Sequence, residues 1–117
     1  MSEMRLGNIE AVFADIIWEK EPLPTRDLVE LCRDKLNWAK STTYTVLKRL
    51  CDKGLFVNEN GIVSSLLTKD EYRSRQSRQL VEEVFEGSLP AFLAAFSAGK
   101  KLSPEEAEEI RRMIDEA

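Results

Sequence analysis

Apolar residues recur at spacings of three and four near the start of the chain: Leu6, Ile9, Val12, Phe13, Ile16 and Ile17. That spacing puts them on one face of a helix over residues 5–19. Pro22 and Pro24 end it. Thr25 is the expected cap of a second helix, with Asp27 in its first turn and Leu28, Val29, Leu31, Cys32 and Leu36 on its apolar face. Ser41 is the expected cap of a third helix over 41–53. Thr43, Val46, Leu47 and Leu50 point it inward, Cys51 lies beside that stripe, and Gly54 after Lys53 stops it. The opposite face carries Ser41, Thr42, Tyr44, Thr45, Lys48, Arg49 and Asp52.

The period then changes. In LFVNENGIVSSLL two β-favouring segments, near 55–58 and 62–66, flank Asn60-Gly61, a strong hairpin signal. Thr68 opens a fourth helix over 69–86 with Gly87 as its stop, and Ser88 and Pro90 start a fifth in SLPAFLAAF. In LSPEEAEEI, Ser103 is the cap of a sixth, Pro104 its first residue and Glu106 the capping-box partner. The pattern predicts a mainly α chain with a small β-hairpin. Three helices followed by a hairpin is the layout of a winged helix-turn-helix, expected over residues 1–68, with a C-terminal helical dimerisation segment over 69–117.

Charge sharpens this picture. The chain is acidic, net −4, which by itself argues against nucleic acid. Residues 79–117 hold four Lys/Arg and nine Asp/Glu, so the acidity sits in the tail. Residues 33–57 hold six cations (Arg33, Lys35, Lys40, Lys48, Arg49 and Lys53) against Asp34 and Asp52 alone. The third helix therefore combines hydroxyls with cations. Thr42, Tyr44 and Thr45 are the candidates for base or near-base contact, because short hydroxyls reach base edges; Lys40, Ser41, Lys48 and Arg49 are the candidates for phosphate. Trp38 is read as a packing residue that braces the turn before this helix.

Other chemistries find little support. The chain has no histidine, and Cys32 and Cys51 fall within apolar patterns as small buried hydrophobes. No nucleophile–base pair, phosphate-binding glycine loop or metal-ligand spacing occurs, which argues against an enzyme and against a bound cofactor or metal. No apolar run has the length of a membrane span, and the N-terminus lacks a signal-peptide pattern, so a cytoplasmic protein without membrane insertion is expected.

The tail makes its own argument. Val81, Phe85, Leu89, Phe92, Leu93, Phe96, Ile110 and Ile114 are more apolar surface than about forty residues hide alone. A second copy covering them predicts a homodimer, which carries two third helices toward a two-fold symmetric DNA operator. A protein–protein interaction module on the same winged-helix scaffold, without DNA binding, is the alternative; the overall acidity and the uncharged-to-acidic hairpin tip favour it.

With these elements in place, the sequence resembles the penicillinase repressor family, the BlaI/MecI-type transcriptional repressors. The likeness rests on IIWEKEPLPTRDLVE, LNWAKSTTYTVLKRLCDKGL, LTKDEY after the hairpin, and VFEGSLPAFLAAF with LSPEEAEEIRRMIDE in the tail. Its most specific part is the run Trp38, Thr42, Thr43, Thr45, Val46, Leu47, Arg49 and Leu50, with Thr43 where the family usually has an aliphatic residue. The resemblance implies a dimeric repressor on palindromic double-stranded operators. In the penicillinase branch it also implies a membrane sensor protease, or a protease downstream of it, as partner. The family's cleaved Asn-Phe bond falls at Ala95-Phe96, where the asparagine is replaced. The copper-responsive branch carries a Cys-x-Cys pair in the tail, and no cysteine follows Cys51. The hairpin tip, Glu59-Asn60-Gly61, lacks the family's usual basic residues, which limits its expected phosphate contact to backbone amides.

Overall fold

A computed structural model describes residues 5–117, so the first four residues of the expected DNA-binding domain and of the N-terminal signal reading lie outside the described residues. The element order is α1 (Asn8–Lys20), β1 (Leu23–Pro24), α2 (Thr25–Leu36), α3 (Lys40–Asp52), β2 (Phe56–Glu59), β3 (Ile62–Ser65), α4 (Lys69–Phe85), α5 (Leu89–Gly99) and α6 (Pro104–Glu116). This is a winged helix followed by C-terminal helices. The chain divides into two compact units, the first ending at Gln79 and the second Leu80–Ala117.

In the first unit the helices converge on one core. Phe13, Ile17, Leu28, Cys32, Leu47, Leu50, Leu55, Phe56 and Val63 are all buried in it. Trp38 stacks on Phe13 with ring centroids 5.5 Å apart, which fixes the turn between α2 and α3. Asn37 makes that turn in the left-handed region, φ 56° and ψ 39°, a conformation asparagine tolerates better than most residues. The hairpin docks through Trp18, whose indole Nε1 donates to Leu67 O at 2.9 Å, and through Glu21, whose carboxylate accepts from Ser65 N at 2.8 Å. Tyr72 of α4 joins the same cluster, its ring 5.6 Å from that of Trp18. The start of α4 thus packs with the first unit.

The wing forms as the sequence predicts. β2 and β3 pair antiparallel from Phe56↔Ser65 to Glu59↔Ile62. The two residues between them, Asn60 (φ 54°) and Gly61 (φ 79°), both adopt the positive φ of a type I′ turn. The sheet has a third strand that the sequence does not reveal: β1 pairs with the far edge of β3, Leu23 opposite Val63 and Pro24 opposite Ile62.

Several helix starts differ from expectation. α1 begins at Asn8 instead of residue 5, because Gly7 takes the cap position and Glu10 Oε1 accepts its N–H at 3.1 Å. Ile9 and Val12 are 56% and 45% exposed, off the buried stripe of Phe13, Ala14, Ile16 and Ile17. Thr25 is not a cap but the first residue of α2; Pro24 precedes it, extended by its pairing with Ile62, and Thr25 N donates across to Gly61 O at 2.8 Å. Ser41 is not the cap of α3. Ala39 holds that position, no side chain caps the helix, and Ser41 lies in its first turn.

Thr43 is fully buried, and its hydroxyl lacks a well-formed hydrogen bond; the Cys32 thiol is the polar group it faces. A buried hydroxyl without a good partner costs stability. Thr43→Val keeps the shape and removes that group. The expected outcome is a gain of about 1 kcal/mol, raising Tm by roughly 4–8 °C for a unit of this size in a thermal melt.

In the second unit the caps follow the sequence. Ser88 Oγ accepts from Ala91 N at 3.1 Å, and Ser103 and Glu106 exchange side-chain-to-backbone bonds at 3.1 and 3.2 Å. Phe92 packs edge-on to Phe85, centroids 5.6 Å apart, and its ring lies 6.4 Å from that of Phe96. Among the described residues, α5 and α6 bury no side chain fully.

Candidate nucleic-acid interface

α3 owes its two faces to its composition. Thr43, Val46, Leu47 and Leu50 are spent on the core, so the residues between them point outward. Lys40, Ser41, Thr42, Tyr44, Thr45, Lys48 and Arg49 are all exposed. At roughly 100° per residue they form three strips along the helix. Ser41, Thr45, Lys48 and Asp52 make the crest. Tyr44 and Cys51 lie on the flank toward the wing. Thr42, Arg49 and Lys53 lie on the opposite flank.

The crest is held by local bonds. Thr45 Oγ1 donates to Ser41 O at 2.9 Å, and Lys48 Nζ donates to Asp52 Oδ2 at 3.2 Å. Both partners of the Lys48–Asp52 pair are more than two-thirds solvent-exposed, so the pair is worth little and yields readily to another anion. Lys40 Nζ lies 5.9 Å from the centre of the Tyr44 ring. Because no side chain caps α3, its first-turn amides and dipole end are left open to an anion.

On the wing side, a shallow groove runs between α3 and the sheet. Tyr44, Leu47, Lys48 and Cys51 line one wall and Phe56, Val57, Asn58 and Leu66 the other. Burial pushes the Cys51 thiol upward, with Asp52 adding to the shift and Lys48 opposing it; burial likewise pushes Cys32 upward. Both thiols stay protonated at neutral pH, and both are free.

The opposite flank carries a feature that the sequence gives no sign of. Arg49 Nη1 donates to Glu10 Oε2 at 3.3 Å, and Lys53 Nζ lies 3.6 Å from Glu10 Oε1. Lys53 Nζ also donates to the Arg5 carbonyl at 3.3 Å. Burial acts to raise the Glu10 pKa, but the Gly7 N–H bond and the Arg49 and Lys53 charges outweigh it and hold the carboxyl below its usual range. Glu10 and Arg49 are 39 positions apart. An acid in a helix's first turn is ordinary, so no local signal marks it.

The family model described as "Penicillinase repressor" matches residues 6–116. The methicillin resistance regulatory protein MecI of Staphylococcus aureus (strain Mu50 / ATCC 700699) is 25% identical over 114 residues, covering 94% of this chain and 93% of that protein. The protein of the same name from Mammaliicoccus sciuri is 24% identical with the same coverage. The penicillinase repressor of Bacillus licheniformis is 22% identical over 116 residues, 96% of this chain and 91% of that one. Among the described residues no helix is long and apolar enough to cross a membrane.

Proposed function

The chain belongs to the penicillinase repressor family, and on that premise we propose that it is a cytoplasmic, homodimeric transcriptional repressor that binds a palindromic double-stranded operator through α3. One observation carries the reading: the exposed face of α3 gathers hydroxyls and cations at an uncapped helix start in an otherwise acidic chain. In this reading residues 1–68 bind DNA and residues 69–117 dimerise.

Thr42, Tyr44 and Thr45 reach toward bases, and Lys40, Ser41, Lys48 and Arg49 toward phosphates. The wing tip adds backbone amides at most, because Glu59 would repel a phosphate. Dimerisation is supported by the tail, where Leu89, Phe96 and Ile114 are 56%, 44% and 64% exposed. Apolar surface of that extent invites association. A membrane sensor protease, or a protease downstream of it, is the partner that the family resemblance offers for release; at the position of the family's cleaved bond this chain has Ala95-Phe96 without the asparagine, and both residues are exposed on α5.

The experiment is selection of bound fragments from genomic DNA, followed by titration of the selected fragment at several salt concentrations. If each subunit neutralises about three phosphates, the log–log salt slope is expected near −5. A slope near zero, or no fragment retained at low salt, overturns the reading in favour of a protein-interaction module.

A further inference from the structure

We propose that Glu10 is a positioning residue of the DNA interface: it grips Arg49 from the side of α1 and fixes the guanidinium so that its remaining donors face a backbone phosphate. The inference rests on the DNA-binding reading given above and deepens it.

The geometry separates an anchor from a presenter. Glu10 is sunk, its side chain 16% exposed, while that of Arg49 is 52% exposed. The carboxylate is held on three sides. Gly7 N donates to Oε1 at 3.1 Å, Lys53 Nζ sits 3.6 Å from the same oxygen, and Arg49 Nη1 donates to Oε2 at 3.3 Å. Its bond to Gly7 closes the first turn of α1, of which Glu10 is part, and so restrains the carboxylate. A guanidinium has five N–H donors in a rigid fork, and the contact that Arg49 makes among the described residues uses Nη1, which leaves most of the fork for another acceptor.

Arg49 is also in the right place. It lies seven residues after Thr42, about two turns along the same strip of α3, so both side chains border one edge of the proposed interface. The Lys48–Asp52 pair is a useful contrast. Both its members are exposed on one helix, so Asp52 does not anchor Lys48 against anything rigid. A long side chain left free loses rotamer entropy on binding; one already fixed loses less.

Positioning and simple electrostatics predict opposite signs. An anion beside a DNA-binding face repels phosphate, so its removal should tighten binding. If Glu10 orients Arg49, its removal loosens binding although the face becomes more positive.

The test uses the full chain and the genomic fragment selected by the unaltered protein. Affinity is measured for Glu10→Ala, Glu10→Gln, Arg49→Ala and Glu10→Ala/Arg49→Ala, each corrected for its folded fraction by a thermal melt in the same buffer. Glu10→Ala is expected to weaken binding about tenfold, the scale of one charge-assisted hydrogen bond. The double variant should bind no more weakly than Arg49→Ala alone. Glu10→Gln keeps one acceptor oxygen, which can serve Arg49 or Gly7 but not both, and should lose less than the alanine variant, which also covers the case in which the alanine variant folds poorly. Tighter binding by either Glu10 variant, or losses that add in the double variant, overturns the proposal. If the unaltered chain retains no DNA, the parent reading has failed instead.

Discussion

Phe96→Asp should run as a monomer in sedimentation and bind its operator at least about 10²-fold more weakly than the unaltered chain. Phe96 is 44% exposed and its ring lies near that of Phe92, which meets Phe85 edge-on. These three rings form an apolar cluster in the second unit. If a second copy covers it, a carboxylate at its exposed end must be buried without a partner, at a cost of several kcal/mol per ion. The first unit should not suffer, because the buried hydrophobic residues that form its core run from Phe13 to Leu67. The variant therefore separates assembly from folding. The affinity loss follows from linkage: once one half-site is bound, the second α3 meets its own half-site at a high effective concentration, and a monomer forfeits that gain. An unchanged sedimenting mass would show that the tail rings are covered within one chain and would end the dimer proposal.

Features that depend on a few adjacent residues were legible in the sequence. The hairpin needed two consecutive positive-φ residues, and Asn60-Gly61 announces them. The start of α6 needed a reciprocal cap, and Ser103 with Glu106 announces that. The exposed face of α3 was legible for a related reason. Once Thr43, Val46, Leu47 and Leu50 are assigned inward, helical periodicity leaves little freedom for the rest.

Features decided by distant contacts were not. Thr25 and Ser41 are good capping residues, yet each lies inside its helix. Thr25 is displaced because Pro24 pairs with Ile62 and its own N–H reaches Gly61. At Ser41 the chain has already turned, since Trp38 is stacked on Phe13 and Ala39 follows as the cap. β1 is two residues long, too short for any alternation to show. Ile9 and Val12 fit the helical period but lie off the stripe that α2, α3 and the sheet cover. The Glu10–Arg49 contact joins two helices brought together only by the core between them.

That contact bears on the second large effect, expected for Lys48→Ala/Arg49→Ala. The double variant should flatten the log–log salt slope from about −5 to about −2 and weaken operator binding on the order of 10³-fold near 0.1 M salt. The count behind it is three phosphates per subunit, through Lys40, Lys48 and Arg49; the two substitutions remove four of six in the dimer. The two residues differ in what else they lose. Lys48 gives up only an exposed pair with Asp52, so folding should be indifferent to it. Removing Arg49 leaves Glu10 Oε1 with Lys53 and the Gly7 N–H and takes the Arg49 donor from Oε2, a small cost that leaves the unit folded. A thermal melt within about 1 kcal/mol of the unaltered chain would confirm that the loss lies in binding. The slope is the more telling readout, because misfolding lowers affinity at every salt concentration alike, whereas lost phosphate contacts change how steeply salt competes. A double variant that keeps the original slope would place the operator on another face of the winged helix and leave the cations of α3 as ordinary solvated charges.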